Sequence, residues 1–297
     1  MSFPSIRLRA AAPLARIICL LSLALALGGC SAIKLGYDSL GQLGYWWLDG
    51  FFDFDDAQGA AVRDDLARIH AWHRANELPR YGQLLQRLER LAPGDLTPEQ
   101  VCGLEPELRA RAEALRARVE PALTAHALTI QPQQLEHLER KFQQRNRDYE
   151  KEWVRLDRDE LVDKRLEDIT DRAEILYGRR DEAQRASLRQ LLQGSRYSPA
   201  TVLAERRRRQ QATLALLRRF SNEKVGIPEA RSAMHAHVEQ LMVPREPAYA
   251  AYVDAMRQET CAFAAALHNS MRASQREHAA KRLRGWQRDL ADLSAQP

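Results

Sequence analysis

Glycine, aromatic residues and alternating β-branched residues are scarce in this sequence. Glycine accounts for 14 of the 297 residues and aromatic residues for 7%. This composition disfavours sheets and barrels, which need turn glycines and strands with a period of two. From residue 55 onward Ala, Leu, Arg, Glu and Gln dominate. That mixture favours helix nearly everywhere.

The sequence also lacks the motifs of common enzyme classes. It contains no His-Glu-x-x-His metal motif, no Gly-x-Ser-x-Gly nucleophile motif and no glycine loop of the phosphate-binding type. The remaining candidates for chemistry are His70, His73 and His268. His70 and His73 lie one helical turn apart, but no third metal ligand accompanies them at motif spacing. We therefore expect no catalytic residue, no metal and no cofactor, and an enzyme is the least favoured function.

The first 29 residues have the pattern of a removable export signal. Three arginines and no acidic residue come before or at the start of an apolar run that is too short to span a bilayer. The run ends in Leu27-Gly28-Gly29-Cys30, which resembles the lipobox of bacterial lipoproteins. That resemblance implies that Cys30 receives a diacylglyceryl group and becomes the first residue of the mature chain. The alternative is a plain signal peptide followed by a cysteine by chance.

The residues after the cysteine bear on where the mature protein lies. Ser31 stands where an Asp would act as the inner-membrane retention signal of lipoproteins, so the resemblance implies the outer membrane, with the protein facing the periplasm. Two acyl chains are sufficient for stable anchoring. No later segment approaches the roughly 18 consecutive apolar residues of a membrane span. We expect a protein that is tethered to the membrane and does not cross it.

Removing the signal changes both the charge and the cysteine count. The net charge falls from +5 to 5 − 3 = +2, which argues against nucleic acid as a partner. Cys19 is removed and Cys30 acylated, so that Cys102 and Cys261 remain in an oxidising compartment. One disulfide between them is the simplest interpretation. Two separately buried free cysteines are the alternative.

Apolar spacing and prolines predict a single all-α bundle of roughly eight to nine helices. No linker rich in Ser, Gly or Pro divides it. The expected organisation is a signal peptide at 1–29, a lipidated N-terminus with an aromatic segment at 30–54 and a helical bundle at 55–297. The predicted helices, of which the longest lies near residues 132–177, are 55–77, 80–91, 98–125 with irregularities, 132–177, 181–193, 199–221, 228–241, 246–270 and 274–293.

Several predicted helix starts place a Gln a few residues after a cap candidate. A cap that binds a free N–H while the Gln reaches back is a capping box. The pattern also resembles the Leu-Thr-x-x-Gln motif of small periplasmic stress chaperones, which makes a chaperone-like role the alternative function, although capping alone explains the residues. The segments are Asp53–Gln58, Leu96–Gln100, Thr129–Gln134, Arg180–Gln184 and Arg272–Gln275.

Two segments are candidates for binding. Residues 45–54 hold six of the aromatic side chains, among them Trp46, Trp47, Phe51 and Phe52. They are consistent with contact at the membrane interface, with packing in the bundle core, or with a groove for an apolar ligand. The second segment is a run of four arginines, which is either a solvated helix face or a site for anionic lipid or lipopolysaccharide. Its residues are Arg206, Arg207, Arg208 and Arg209.

The chain contains the segments Trp46-Trp47-Leu48-Asp49, Trp72-His73-Arg74 and Leu96-Thr97-Pro98-Glu99-Gln100-Val101-Cys102. With others, they resemble segments of an uncharacterised Gram-negative lipoprotein family, domain of unknown function sixty-two seventy-nine. The resemblance implies a helical lipoprotein that faces the periplasm, with Cys102 and Cys261 as paired positions and no assigned catalytic residue. Our leading hypothesis is a non-enzymatic outer-membrane lipoprotein that binds an envelope protein or an anionic glycolipid. The segments that carry the resemblance include Cys30, Trp46-Trp47-Leu48-Asp49, Trp72-His73-Arg74, Glu77-Leu78-Pro79-Arg80-Tyr81, Leu96-Thr97-Pro98-Glu99-Gln100-Val101-Cys102, Gln134-Leu135-Glu136-His137-Leu138, Tyr177-Gly178, His268-Asn269 and Leu283-Arg284-Gly285-Trp286.

Overall fold

A computed structural model describes residues 31–296, so the predicted signal peptide and Cys30 lie outside the described residues. Throughout residues 31–296 the regular secondary structure is helical, which confirms the all-α prediction. The helices are α1 (Ser31–Asp38), α2 (Leu40–Phe52), α3 (Asp56–Asn76), α4 (Leu78–Leu91), α5 (Pro98–Cys102), α6 (Glu105–Ala127), α7 (Pro132–Tyr149), α8 (Arg158–Tyr177), α9 (Glu182–Gln193), α10 (Pro199–Asn222), α11 (Ile227–Met242), α12 (Pro247–Asn269) and α13 (Ala273–Ser294).

The predicted count of eight to nine helices is too low. Most of the aromatic segment, which carries no helix prediction, lies in α2, which ends at Phe52. The irregular helix predicted at 98–125 is two helices, because α5 ends at Cys102 and α6 begins at Glu105. The proline-based starts of α7 and α10 agree with the structure, since Pro132 and Pro199 each occupy the first helical position.

The single long helix predicted near residues 132–177 is wrong. Helix α7 ends at Tyr149, and Glu150–Val154 form a π-helical turn before α8 begins. The new helix is capped by Asp157, whose side chain accepts a hydrogen bond from the Glu160 backbone N–H at 2.9 Å. The Glu160 carboxylate in turn accepts one from the Asp157 N–H at 3.0 Å. This capping box satisfies free backbone donors and starts a new helix.

Four apolar clusters lie within the described residues, and two of them hold the middle helices together. Leu138, Leu217 and Met234 belong to one, which joins α7, α10 and α11. Val162 and Leu188 belong to the other, between α8 and α9. The end of the chain closes over its beginning, since α13 packs along α4 and also contacts α1. No helix within residues 31–296 has both the length and the apolarity that a bilayer span requires.

The two cysteines predicted to pair lie at disulfide distance. The sulfur atoms of Cys102 and Cys261 are 2.07 Å apart and their Cα atoms 5.5 Å apart, within the usual range for a disulfide. The bond connects α5 to α12 across 159 residues. It therefore joins the early and late helices into one body.

Candidate functional site

Helix α2 has an inner face that packs on the bundle. Tyr45 is buried, and the guanidinium of Arg63 lies 3.7 Å from the centroid of its ring. The Tyr45 hydroxyl approaches α3 at Gly59, where an added Cβ would lie 2.8 Å from the hydroxyl oxygen. Phe51 and Phe52 pack against the cluster that joins α7, α10 and α11. Half of the aromatic segment is therefore core.

The outer face of the same helix is apolar and exposed. Trp46 and Trp47 each expose 60% of their surface. Their spacing from Leu40 and Leu43 places all four side chains on one side of the helix. The one charged residue of α2, Asp49, accepts a hydrogen bond from the Phe54 N–H at 3.2 Å near the end of the helix. We call the following exposed residues of α1 and α2 the Trp face: Leu35, Leu40, Leu43, Trp46 and Trp47.

Two glutamines join the start of α3 to the start of α7. The Gln134 amide donates to Gln58 Oε1 at 2.6 Å, and the Gln58 amide donates to Gln134 Oε1 at 3.2 Å. Each amide nitrogen also donates to a carbonyl of the other loop, Gln58 to Thr129 and Gln134 to Asp53. We call this pair the first clasp.

The oxygens of the first clasp are also fully used. Gln58 Oε1 accepts from the Asp55 N–H at 3.2 Å, and Gln134 Oε1 accepts from the Gln131 N–H at 2.9 Å. A primary amide has two donor hydrogens and room for two acceptor contacts. All hydrogen-bond donors and acceptors of both amides are therefore satisfied within the protein.

The same arrangement recurs between α9 and α13, as the second clasp. Gln184 and Gln275 donate to one another, at 2.8 and 3.2 Å. Gln184 also donates to the Ser270 carbonyl and Gln275 to the Arg179 carbonyl. Thr129 and Ser270 each stand five residues before the second glutamine of their clasp. The chain thus repeats one structural unit twice.

A cavity of about 270 Å³ lies beneath the first clasp. Helices α2, α3, α6, α10 and α11 surround it, and its wall is mostly aliphatic and aromatic. It opens to solvent beside Leu123, which lines it and is 39% exposed. We call it the clasp cavity. Its apolar wall includes Phe52, Val62, Ala127, Leu217, Met234 and Leu241.

Polar residues at the edge of the clasp cavity have partners inside the protein. His126 Nε2 lies 2.8 Å from a carboxylate oxygen of Asp65. The Thr213 hydroxyl donates to the Arg209 carbonyl at 3.0 Å and accepts from His237 Nε2 at 3.0 Å. Burial lowers the pKa of His237 and so favours its neutral ring. The wall offers little hydrogen bonding to a ligand.

The four-arginine run is engaged within the bundle. Arg208 and Arg209 donate to the buried carboxylate of Glu205, at 2.6 and 2.7 Å for their Nε atoms. Hydrogen bonds from Arg208, with Arg209 adding to them, lower the pKa of Glu205 to about 2. Arg207 pairs with Glu150 at 3.0 Å, and the guanidinium of Arg206 lies 4.2 Å from the centroid of the Tyr149 ring.

The candidate histidines contact tyrosines that join helices. The Tyr37 hydroxyl lies 2.9 Å from His73 Nδ1, and His70 Nε2 lies 3.1 Å from the Tyr37 carbonyl. His268 lies 2.9 Å from the Tyr177 hydroxyl and 2.8 Å from the Gly94 carbonyl. Burial lowers the pKa of His73 and of His268. Among residues 31–296 no group of three or more His, Cys, Asp or Glu side chains is arranged to hold a metal ion.

Residues 50–244 match the model of a family of unknown function, DUF6279. The chain belongs to this family. The region matched by DUF6279 contains the first clasp, the four arginines and nearly all of the clasp cavity, but it begins after Trp47 and ends before Cys261. No curated protein and no solved structure matches the chain significantly.

Proposed function

We propose that this protein is a non-enzymatic outer-membrane lipoprotein that faces the periplasm, is anchored through Cys30, and lays its Trp face on the bilayer. The observation that supports this proposal is the Trp face itself. It joins exposed Leu and Trp side chains without a charged residue and begins at Leu35, five residues after Cys30. Trp is favoured at the membrane interface, and an apolar helix face can lie in it.

The path of the chain favours such a contact. The Ser39 N–H donates to the Leu35 carbonyl, and the Leu43 N–H donates to the Ser39 carbonyl, so helical hydrogen bonding continues from α1 into α2. Together they form a rod of about 30 Å. The rod begins at Ser31, directly after Cys30 in the sequence, so a lipid anchor on Cys30 would be joined to the rod without an intervening linker.

Among the envelope partners considered from the sequence, the apolar membrane interface has the best support. The Trp face carries no charge that would select an anionic headgroup or an anionic glycolipid. The arginines at 206–209 already have Glu205, Glu150 and Tyr149 as partners. A basic contact with lipopolysaccharide would have to share these arginines with their present partners. A role in nucleic-acid binding is not part of the proposal.

The chaperone-like and enzymatic alternatives have less support. Of the five glutamines that suggested a chaperone, four are saturated by hydrogen bonds within the two clasps, and the fifth, Gln100, accepts from the Thr97 N–H and caps its own helix. The histidines that were candidates for catalysis form hydrogen bonds to a tyrosine hydroxyl and to backbone carbonyls of other elements. Both sets of residues thus have structural roles that account for their presence.

Vesicle flotation tests the proposal on the chain from residue 31, which contains all the described helices and has no acyl anchor. Vesicles of phosphatidylethanolamine and phosphatidylglycerol should carry the parent chain upward, and Trp emission should shift to shorter wavelength. The variant Trp46→Gln/Trp47→Gln should lose most of this binding, because two interfacial side chains are gone.

A matched control replaces two exposed apolar residues elsewhere. Ile175 and Ile227 expose 55% and 60% of their surface, on α8 and α11. The variant Ile175→Gln/Ile227→Gln should float like the parent. Equal flotation of the Trp variant and the parent would contradict the proposal, as would equal losses in both variants.

A further inference from the structure

We infer that the clasp cavity binds a single hydrocarbon chain of a lipid. The inference rests on the proposed function for the source of the chain, which is the membrane beneath the Trp face. It does not rest on it for the binding itself, which is a property of the cavity wall. The proposed membrane contact and the proposed binding in the cavity can therefore be disproved independently of one another.

The size of the cavity fits such a ligand. An apolar cavity of about 150 Å³ is enough to hold benzene. At about 270 Å³ the clasp cavity has room for a considerably larger hydrocarbon. It extends along α11 from Met234 to Leu241, both of which line it. Seven residues of helix span about 10 Å, so the cavity is long enough to hold part of an extended chain.

The chemistry of the wall selects hydrocarbon over polar ligands. Gln58 and Gln134 have no free donor or acceptor, and His126, His237 and Thr213 are bonded to protein groups. A buried amide or charge without a partner costs several kcal/mol, so a peptide backbone or a headgroup is disfavoured inside. A lipid chain has no such group, and its headgroup would remain in water at the opening beside Leu123.

The position of the cavity connects it with the membrane. Leu48 and Phe52 of α2 line the cavity, whereas Trp46 and Trp47 of the same helix belong to the Trp face. Only the thickness of α2, about 10 Å, then separates the cavity from the surface that we propose to rest on the bilayer.

The second clasp shows that a clasp does not require a cavity. Leu188 stands four residues after Gln184, as Val62 stands four residues after Gln58. Leu188 is 1% exposed and packs with Val162, Leu166 and Leu192. The interior next to the second clasp is therefore filled by side chains at the position that lines the clasp cavity. A separate pocket between α8 and α12 is lined by Ile169, Phe263 and Leu267, which pack against this cluster, but Leu188 does not line it.

Titration of the chain from residue 31 with cis-parinaric acid, a fluorescent unbranched fatty acid, tests the inference without vesicles. Saturable binding at one site per chain is expected. Palmitate should displace the probe if a free fatty acid fits, and lysophosphatidylethanolamine should displace it if a chain with its headgroup outside also fits. Displacement by either one supports the inference. Displacement by neither, or binding without saturation, would overturn it.

Two substitutions test whether cis-parinaric acid binds inside the clasp cavity. Ala127→Phe fills its interior, and Val238→Trp fills it from a half-buried position that tolerates change more easily. Each should weaken probe binding by roughly tenfold or more, since the chain loses its apolar contacts. Circular dichroism melting checks that each variant is folded. Parent-like binding in a folded Val238→Trp variant would exclude the cavity as the site.

The flotation variants separate this inference from the proposed function. Trp46→Gln/Trp47→Gln should bind cis-parinaric acid like the parent, because neither Trp lines the cavity. The same variant should no longer bind to vesicles in flotation. Val238→Trp should float with vesicles like the parent but bind cis-parinaric acid more weakly. Loss of the probe in the Trp variant would place chain binding on the Trp face and overturn the cavity assignment.

Discussion

The two clasps have the same hydrogen bonds but different surroundings. In each, two glutamine amides pair with one another, with two carbonyls and with two backbone N–H groups. Next to the second clasp, Leu188 and Leu192 are almost completely buried. Beneath the first clasp a cavity of about 270 Å³ remains. The comparison separates a structural device, which is repeated, from an open apolar volume beneath the first clasp that is available for binding.

Removal of the disulfide should cause the largest loss of stability, and the loss should be greater near the second clasp than near the first. Cys261 lies on α12, and the loop after α12 supplies the Ser270 carbonyl of the second clasp. Cys102→Ser/Cys261→Ser should lower the free energy of unfolding by about 2–5 kcal/mol, because the open loop gains entropy when the chain unfolds. Urea denaturation measures the loss. Hydrogen exchange should show weaker protection in α12 and α13 than in α7. A uniform change in protection would count against the link to the second clasp.

The next largest effect should come from breaking the second clasp. Gln184→Ala removes two hydrogen bonds from the buried Gln275 amide and leaves the Ser270 carbonyl without its side-chain donor. We expect a loss of about 3 kcal/mol, since each unsatisfied buried group costs on the order of 1 kcal/mol or more.

The control for the clasp is a glutamine that only caps its own helix. Gln100 is exposed and accepts from the Thr97 N–H. Gln100→Ala should cost about 0.5 kcal/mol, in the range of a lost exposed cap. Similar losses at Gln184 and Gln100 in urea denaturation would show that the clasps add nothing beyond capping.

Acid should weaken the bundle through Glu205, on the helix that lines the clasp cavity. Its pKa is about 2 in the folded protein, against an ordinary value of 4.5. The ionised group therefore stabilises the fold fully above pH 4.5, and this contribution is lost as the pH falls toward 2. Glu205→Gln should cost on the order of 2 kcal/mol at pH 7, and the gap to the parent should close in that acid window. A constant gap across the window would show that Glu205 is not held by Arg208.

A reciprocal exchange of equivalent residues should have the smallest effect. Leu188→Val opens space in a filled core and should cost about 1 kcal/mol. Val62→Leu adds one methylene group beside an existing cavity, so its effect should be within about 0.5 kcal/mol of zero. Thermal denaturation of both variants measures the difference. An equal loss at Val62 would mean that the first clasp also covers a filled interior.

Much of the fold follows from local signals in the sequence. The starts of α7 and α10 follow from Pro132 and Pro199, because a proline without an N–H suits the first turn of a helix. The break before α8 was missed although Asp157 and Glu160 form a capping box. Proline marks a boundary alone, whereas a capping box is recognisable only if both of its residues are read together.

The pairing of the clasps could not be predicted, because it depends on helices that are far apart in sequence. Gln58 and Gln134 are 76 residues apart, and Gln184 and Gln275 are 91 residues apart. A usable signal was present, since Asp55-Asp56-Ala57-Gln58 and Asp181-Glu182-Ala183-Gln184 are nearly the same sequence. This similarity indicates a repeated helix start but does not show which distant glutamine pairs with each of the two.

The binding candidates were predictable only in part. The aromatic segment allowed core, interface or groove, and the structure divides it, with Phe52 inside and Trp46 and Trp47 outside. For the arginine run, the partner Glu205 was visible at helical spacing from Arg208 and Arg209. Glu150 is 57 residues from Arg207 in the sequence, on another element, so this pair could not be inferred. The cavity depends on how five helices meet and leaves no local pattern.

Methyl NMR of methionine-labelled protein tests the central claim most directly, because it observes both clasps at once. Met234 lines the clasp cavity, whereas Met271 is buried beside the second clasp, four residues before Gln275. With added palmitate, the Met234 methyl signal should shift, reach its limit at one equivalent and show contacts to the chain, while the Met271 signal should stay unchanged. An unchanged Met234 signal, or equal shifts of both methionines, would contradict the account.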